Sequence, residues 1–399
     1  MTKKDPEKLA RKREKKERKL LEQQIKQSNE KVAEGRVVLE TVVKATGSPN
    51  YTKAIQILES AIELYPENSE AFTLRGTALK NQFLAEEAID DFTKAFTLDP
   101  LSVPALEGRA TCFELLREWD RAIHDYTTIV AIQPENDHAY NMRAAARLKK
   151  RPMGLVMRIA DFESIVLDLK TALRLNENNF AAFTNLGRAY ADQRMYRDAI
   201  EQFNRALKIS DAYNYALYRR ACARVGLGGE LDRKEKLLSA DLAEAESLAK
   251  EVSALKAEAV GGGDTARAVI AEKESRLLSV DDQIALEDSL EAVRKEHREL
   301  LLSAVADFTK VINPEAKQEE LAAVIHVGMC YFDLHEDAKA KEELTFALKH
   351  IQAASQDTSG GGQMVGSTLT GASLGDLTVM TDVVERKLKQ IETRSQRVR

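Results

Sequence analysis

The chain has 399 residues, of which 31% are charged and 6% aromatic, and its formal net charge at pH 7 is −5. This composition suits exposed helices more than one large compact core, and the small net charge argues against a general polyanion binder. The cysteines Cys112, Cys222 and Cys330 lack the spacing of disulfide or zinc frameworks. No signal peptide is recognisable, and no apolar run approaches the roughly 20 residues that span a bilayer. We therefore expect a cytoplasmic protein, with the nucleus as an alternative.

The N-terminal segment is strongly basic. Residues 1–20 contain ten Lys or Arg and four Asp or Glu, a local charge of +6 on a chain whose remainder is acidic. Pro6 is typical of a helix start, and no later breaker precedes residue 45, so we predict one helix over 6–45, with residues 1–34 as a separate charged domain. This helix is either a solvated extension or an arm for an acidic partner such as a tubulin tail, nucleic acid or an anionic membrane.

A pattern of apolar and small residues recurs at a spacing of 34 residues. Its positions are Phe72, Gly76, Ala88, Phe92, Ala95 and Pro100 in one copy and Leu106, Ala110, Ala122, Tyr126, Ile129 and Pro134 in the next. The pattern resembles the tetratricopeptide repeat (TPR), a helix–turn–helix unit that stacks on its neighbours because it cannot bury its own apolar faces. The resemblance implies an all-α fold, a right-handed superhelix of helical hairpins called an α-solenoid.

Seven such repeats are predicted between residues 35 and 352. Counting back by 34 residues starts the first near Gly35, with Val38 and Val42 where an aromatic residue and a glycine are usual. The following repeats begin near residues 69, 103, 137, 180 and 214, and the seventh ends near residue 352. The fourth contains a predicted loop whose apolar side chains either fold back or contact a partner: Met153, Leu155, Val156 and Met157.

An insertion at residues 229–298 interrupts the sixth repeat, whose first helix lies within the 35–228 region and whose second helix opens the 299–352 region. Apolar residues at gaps of three and four form a helical seam: Leu238, Leu242, Ala245, Leu248, Val252, Leu255 and Ala259. Glycines at 261–263 end this helix. A second helix, which contains Leu277 and has a similar apolar seam, runs back in the opposite direction. We predict an antiparallel coiled-coil hairpin that projects about 45 Å and lengthens both helices of the repeat. Gly226–Gly229 is interpreted as a helix end.

The C-terminal region changes character twice. Residues 353–375 are predicted to be a flexible linker rich in glycine and serine, because their composition cannot form a core. Residues 376–399 regain helical spacing. This terminal helix either caps the seventh repeat or belongs in a groove of another protein.

An arginine and an aspartate recur together in four repeats. The arginines are Arg75, Arg109, Arg143 and Arg220, and the aspartates of the same repeats are Asp91, Asp125, Asp168 and Asp307. The first and fifth repeats lack both residues. We therefore predict bidentate Arg–Asp pairs that support the fold, in preference to an arginine ladder that grips acidic peptides.

One chemistry known in the TPR family is the carboxylate clamp of co-chaperones, in which Lys, Asn and Arg of first helices hold the C-terminal carboxylate of a heat-shock chaperone. The resemblance places Asn185 and Arg219 at two of its five positions, whereas Asn141, Ala145 and Tyr215 occupy the others. A co-chaperone with a degenerate clamp is therefore the third function considered.

Two other functions rank above it. The first is a non-enzymatic scaffold whose concave groove binds a protein segment or helix, with these candidate groove residues: Asn141, Asn185, Arg188, Tyr218 and Arg219. The second is a structural component of a cytoskeletal assembly, such as a ciliary or microtubule complex. No catalytic, cofactor or metal site is predicted, because the histidines lack a second ligand at metal-binding spacing and no phosphate loop or nucleophile elbow occurs.

Overall fold

The structure is a computed structural model that describes residues 6–43, 47–151, 157–258, 264–312, 321–357 and 374–397. The chain divides into two compact units, Met1–Ala189 and Tyr190–Arg399, called here the N-terminal and C-terminal units. The described residues form sixteen helices and one short two-stranded ladder. The prediction of an all-α fold is confirmed.

The N-terminal unit is a row of helices in which each helix from α1 to α7 packs against the next. The helices are α1 Pro6–Glu40, α2 Tyr51–Leu64, α3 Ser69–Asn81, α4 Ala85–Leu98, α5 Val103–Leu115, α6 Trp119–Ile132, α7 Asp137–Lys150, α8 Ile159–Leu175 and α9 Phe180–Asp192, whose last residues belong to the C-terminal unit. Asparagine N-caps start several of them: the side-chain oxygens of Asn50, Asn68 and Asn136 accept backbone N–H bonds from the first turn.

The core of the N-terminal unit is built from equivalent positions of successive second helices. Leu58, Phe92, Tyr126 and Leu169 are each at most 2% exposed and lie where the two helices of a repeat meet. Each short repeat therefore buries one large side chain between its helices and shares the rest of its apolar surface with its neighbours.

The first repeat starts seven residues earlier than the 34-residue spacing predicts. Ser28 Oγ donates to the carbonyl oxygen of Ala61 at 2.7 Å. Ser69 makes the same bond in the second repeat, to Ala95 at 3.0 Å. The first pair is 33 residues apart and the second 26, so the turn between the two helices is longer in the first repeat.

The position of Gly35 shows the same shift of seven residues. A Cβ added to Gly35 would lie 2.9 Å from the Leu58 side chain, and one added to Gly76 would lie 3.0 Å from the equivalent ring of the second repeat. Gly35 therefore lies at the close helix crossing, where the sequence analysis expected Val42. Between the two helices of this repeat, β1, Val42–Val43, pairs antiparallel with β2, Ser48–Pro49. The continuous helix also ends at Glu40, before the predicted residue 45.

The fourth repeat contains the segment predicted as an apolar loop. Met153, Leu155 and Val156 lie outside the described residues. Met157 is 5% exposed and is therefore buried within the N-terminal unit. Helix α8 begins at Ile159, and its Asp168 lies opposite α7 as the repeat pattern requires.

The C-terminal unit contains the predicted hairpin and the last repeat. Its helices are α10 Tyr196–Ile209, α11 Asn214–Glu258, α12 Asp264–Glu274, α13 Val280–Val311, α14 Leu321–Asp333, α15 Asp337–Asp357 and α16 Leu374–Arg397. The long helices α11 and α13 pack along each other, and their buried seam includes Leu231, Ala245, Val252, Leu290 and Val293. Both are continuous from the repeat into the hairpin.

Two details of the hairpin differ from the sequence prediction. Helix α11 runs through Gly226–Gly229 without a break, so those glycines do not end a helix. A Cβ on Gly226 would lie 2.5 Å from the Tyr196 ring, which explains a glycine there by close packing. The returning arm is broken between α12 and α13, and Leu277 lies in this break, where Ser279 caps α13 by accepting from Asp282 N–H.

Helix α16 packs against α14 and α15 through Val384 and Ile391, which are fully buried against Phe332, Ala340 and Leu344. It therefore covers the last repeat, which is one of the two arrangements considered above. Helix α15 continues to Asp357, so the first five residues of the linker predicted from 353 belong to the helix. Residues 358–373 of that linker lie outside the described part of the chain.

Candidate partner-binding surfaces

The arginine ladder pairs with buried aspartates inside the repeats. In the N-terminal unit, Arg75, Arg109 and Arg143 each donate from Nε and Nη2 to the two carboxylate oxygens of Asp91, Asp125 and Asp168, at 2.6–2.9 Å. In the C-terminal unit, Arg220 makes the same pair of bonds to Asp307, both at 2.7 Å. The pair ties the first helix of a repeat to the second. These side chains are therefore engaged within the fold and are not available as a peptide grip.

Two of these aspartates receive a second arginine that sequence reasoning missed. Arg147 Nη1 donates to Asp168 at 2.5 Å, and Arg224 Nη1 donates to Asp307 and to the carbonyl oxygen of Ser303. Burial lowers the pKa of both guanidinium groups, which also lie near the first arginine of each pair. The signal in the sequence is an arginine four residues after the ladder arginine, one turn along the same helix face.

Three predicted groove residues lie together on the first helices of the N-terminal unit. Asn185 Nδ2 of α9 donates to Asn141 Oδ1 of α7 at 2.8 Å, and Asn141 is 5% exposed. Arg188 Nη2 donates to the carbonyl oxygen of Leu148 at 3.3 Å and remains partly exposed. The Thr184 side chain is 1% exposed, and its hydroxyl donates a hydrogen bond to a backbone carbonyl oxygen of its own helix. This first-helix face therefore combines small side chains with two fixed amides and one cation.

The other two predicted groove residues lie in the C-terminal unit and differ from each other. Tyr218 packs edge-on against Phe308 and His326, with ring centroids 5.5 and 5.9 Å away, so it belongs mainly to the core formed by α11, α13 and α14. Arg219 lies over the Tyr215 ring at 5.1 Å, and its buried Nε has no hydrogen-bond partner in the described part of the chain. Tyr218 was assigned to a groove because the sequence does not reveal that α14 covers its face of α11.

A cleft of about 980 Å³ lies at the base of the hairpin in the C-terminal unit, between α11, α13, α14 and α16. Its charged side chains are largely paired with each other. Arg294 Nε donates to Glu235 at 2.9 Å, and Arg394 Nη1 donates to Asp337 and to the Phe332 carbonyl oxygen, both at 3.2 Å. These pairs hold α16 and the two arms of the hairpin in place.

Among the described residues, no group of three or more His, Cys, Asp or Glu side chains is arranged to hold a metal ion. None of the described helices is both long enough and apolar enough to span a membrane. The polar contacts described in these surfaces are hydrogen bonds and ion pairs within the chain.

Comparison with known proteins finds partial matches to the repeat region. The family model described as "Tetratricopeptide repeat" matches residues 167–216. Human tetratricopeptide repeat protein 13 is 27% identical over 167 residues, covering 41% of this chain and 18% of its own length. A DnaJ homolog subfamily C member 7 homolog from Dictyostelium discoideum is 32% identical over 93 residues, covering 22% of this chain and 17% of its own length. The matched segments thus span less than a fifth of these two relatives.

Solved structures give matches of the same kind. The C-terminal part of a TPR repeat-containing protein from Cytophaga hutchinsonii aligns with a TM-score of 0.45 and 13% identity, covering 76% of this chain and 90% of its own. YrrB, described as a TPR protein with an unusual peptide-binding site, aligns with a TM-score of 0.35 and 20% identity, covering 42% and 82% of the two chains.

Stacked helix pairs with one buried aromatic or aliphatic side chain per pair define a helical-repeat protein. Residues 167–216 match the tetratricopeptide repeat family model, and the sequence relatives are similar to this chain over less than half of its length.

Proposed function

We propose that the chain is a non-enzymatic scaffold that binds an extended segment of a partner protein on the first-helix face of its N-terminal unit. The observation that carries the proposal is the amide pair of Asn141 and Asn185 on successive first helices, with Arg188 nearby. An asparagine side chain has both a donor and an acceptor, so it can pair with both polar groups of a peptide backbone. Repeat arrays of this family present extended surfaces of this kind.

The geometry of the pair favours binding. The bond uses Asn185 Nδ2 and the buried Asn141 Oδ1, and among the described residues it leaves Asn185 Oδ1, on the partly exposed residue of the pair, as an acceptor for a partner protein. The bond also fixes both amide planes, so less side-chain entropy is lost when a partner binds. Arg188 adds one positive charge beside the amides, which suits a segment that carries a carboxylate.

Affinity purification with quantitative mass spectrometry tests the proposal. We expect the double variant Asn185→Ala with Arg188→Glu to lose the specific partners of the wild-type protein while its melting temperature stays close to that of wild type. The matched control is Lys170→Glu, because Lys170 is exposed on α8, a second helix. Partner capture that is equal for the double variant and the wild type would refute binding at this face.

A second function, a structural part of a cytoskeletal assembly such as a ciliary or microtubule complex, is favoured by the N-terminal part of α1. Every residue from Lys12 to Gln23 is exposed, and burial in α1 begins at Ser28. The exposed stretch carries six basic and three acidic side chains together with Leu20 and Leu21, which are 56% and 48% exposed. This exposed basic stretch of α1 lies outside the repeat core and can bind an acidic surface such as a tubulin tail.

Microtubule co-sedimentation distinguishes this second function from a diffusible cytoplasmic adaptor. Deleting residues 1–23 removes the exposed arm and keeps Ser28 and its bond to Ala61. We expect the full chain to sediment with microtubules. Deleting residues 1–23, or stripping the acidic tails from the microtubules, should abolish this sedimentation. Sedimentation that survives both changes would exclude the arm as the contact.

A further inference from the structure

A groove of about 620 Å³ lies along helix α16 in the C-terminal unit. Helix α14 contributes one lining residue and α16 contributes the others. The lining, called here the basic groove, consists of Phe332, Arg386, Lys389, Gln390, Thr393 and Arg394. It contains three cations and no carboxylate, on a chain whose net charge is −5.

Two of the three cations have no counter-charge in the part of the chain that the structure describes. Arg394 Nη1 donates to Asp337 at 3.2 Å, so its charge is partly balanced. Arg386 donates from Nε to the backbone carbonyl oxygen of Asp382 at 3.0 Å, and Lys389 makes no ion pair with a described residue. The side chains of Arg386 and Lys389 are both exposed. An anionic partner would therefore gain two ion pairs without displacing an existing one.

The packing of α16 fixes the shape of the basic groove. Val384 and Ile391 are buried against α14 and α15, as described above. Lys387 Nζ and Arg394 Cζ each lie 4.0 Å from the centroid of the Phe332 ring, which joins α16 to the end of α14 by cation–π contacts. The groove is therefore formed before a partner arrives, so that little conformational entropy is lost on binding.

The first turns of α13 carry the opposite charge. Residues 281–291 contain five Asp or Glu and no Lys or Arg. Gaps of three and four place Asp281, Ile284, Asp288 and Glu291 on one side of the helix, called here the acidic face. All four side chains are exposed, that of Ile284 by 50%, and none of the three carboxylates is in an ion pair with a described residue. The acidic face is therefore an unpartnered surface of the hairpin.

The basic groove and the acidic face match in charge and in length. From Asp281 to Glu291 the acidic face covers about 15 Å of helix, and from Arg386 to Arg394 the groove covers about 12 Å. Each surface also has one apolar side chain among its charges, Ile284 on the face and Phe332 in the groove. Helices that dock in grooves combine an apolar anchor with flanking charges in this way.

We propose that the basic groove of one copy binds the acidic face of a second copy of this chain, with Arg386 and Lys389 paired to Asp288 and Glu291. This self-association uses only surfaces of the C-terminal unit, so it goes beyond the partner binding proposed for the first-helix face of the N-terminal unit. A contact of this length is smaller than a permanent interface, and the copies therefore associate reversibly.

Analytical ultracentrifugation of the full chain tests the proposal. We expect the mean mass to rise above that of one chain between about 1 and about 200 μM protein, and to rise less at about 500 mM than at about 50 mM salt. The groove variant is Arg386→Glu with Lys389→Glu, and the face variant is Asp288→Lys with Glu291→Lys. Each should weaken self-association by about tenfold or more, because attraction between the surfaces becomes repulsion.

An equal mixture of the two variants distinguishes this contact from other effects of charge. The face variant keeps the basic groove and the groove variant keeps the acidic face, so the mixture should recover the association that each variant lacks alone. The matched control, Lys234→Glu with Lys349→Glu, makes the same charge change as the groove variant at exposed residues outside the groove. It should associate like the wild type.

Three outcomes would overturn the proposal. The first is a wild-type mass of one chain at every concentration, which would leave the basic groove to an acidic partner of another kind. The second is a mixture of the two variants that stays monomeric. The third is a control that loses as much association as the groove variant, since overall charge would then govern it. Circular dichroism melts of all the variants verify that each remains folded at the temperature of the experiment.

Discussion

Arg109 and Asp125 are joined by two parallel hydrogen bonds, from Nε at 2.9 Å and from Nη2 at 2.8 Å, between the first and second helices of the third repeat. The Asp125 side chain is 2% exposed and that of Arg109 14%. Removing Arg109 would leave a buried carboxylate without its counter-charge. We therefore expect Arg109→Ala to destabilise the protein by about 3 kcal/mol, a loss measurable by thermal or urea unfolding.

The control for this prediction is Arg205→Ala, because Arg205 pairs with Glu201 on an exposed helix face and both side chains are more than half exposed. Such a surface pair contributes less than about 1 kcal/mol. In the double variant Arg109→Ala with Asp125→Ala, the unpaired charge is gone, so part of the stability should return. Equal losses for Arg109→Ala and Arg205→Ala would contradict the assigned role.

Gly226 and Gly229 provide a second test within a single helix. A Cβ on Gly226 would lie 2.5 Å from the Tyr196 ring, whereas nothing lies within 4 Å of a Cβ on Gly229. Alanine favours a helix over glycine by about 1 kcal/mol, so Gly229→Ala should stabilise α11 by roughly that amount. Gly226→Ala gains the same propensity but forces the ring to move, and we expect a net loss of about 1–2 kcal/mol. Urea unfolding of both variants measures the difference in sign.

The backbone of Phe83 supports a third prediction. Its φ is +64°, in the left-handed region, and the ring is 88% exposed. The turn it forms closes α3 through the bond from Leu84 N–H to the Leu79 carbonyl oxygen at 3.0 Å. Phe83→Gly should therefore raise stability by about 1 kcal/mol, since glycine adopts this conformation without a Cβ clash. Phe83→Ala keeps the strain and should give no such gain. Equal gains from Ala and Gly would assign the effect to the exposed ring.

Periodicity explains what the sequence could predict. The helix pairs and the Arg–Asp partners follow from residues that recur in one repeat after another, so the predicted pairing of Arg75 with Asp91 required only the repeat spacing. The first repeat was misplaced because its longer inter-helix turn shifts Gly35 out of that spacing. Counting by 34 residues does not reveal that one inter-helix turn, the one that contains β1 and β2, is longer than the others.

Tertiary contacts explain what the sequence could not predict. Gly226–Gly229 has the composition of a helix end, yet close packing against Tyr196 keeps α11 helical through it. Tyr218 has the amphipathic character of a groove residue, but α14 follows the hairpin and places His326 against it. Both outcomes depend on residues distant in the sequence. The second arginine on Asp168, Arg147, lies four residues after Arg143, on the same helix face, so local spacing and not tertiary contact indicates it.

The buried thiols give a final prediction about reactivity and pH. Cys112 and Cys330 are at most 1% exposed, and burial raises the pKa of their thiols to about 11 and about 12, from an ordinary value of 9.0. Because the thiolate is the reactive form, we expect both to react with Ellman's reagent at pH 8 only as fast as the protein opens, and rapidly in urea.

The raised pKa values also set the sign of the alkaline response. In the folded state these thiols keep their protons to higher pH than in the unfolded state, so the folded chain binds more protons between about pH 9 and the folded pKa values. The free energy of unfolding should therefore fall as pH rises through that window. Cys112→Ala removes one such group and should make the fall shallower than in wild type, as measured by urea unfolding at pH 8, 9 and 10. A fall of the same slope in both proteins would show that other groups govern the alkaline response.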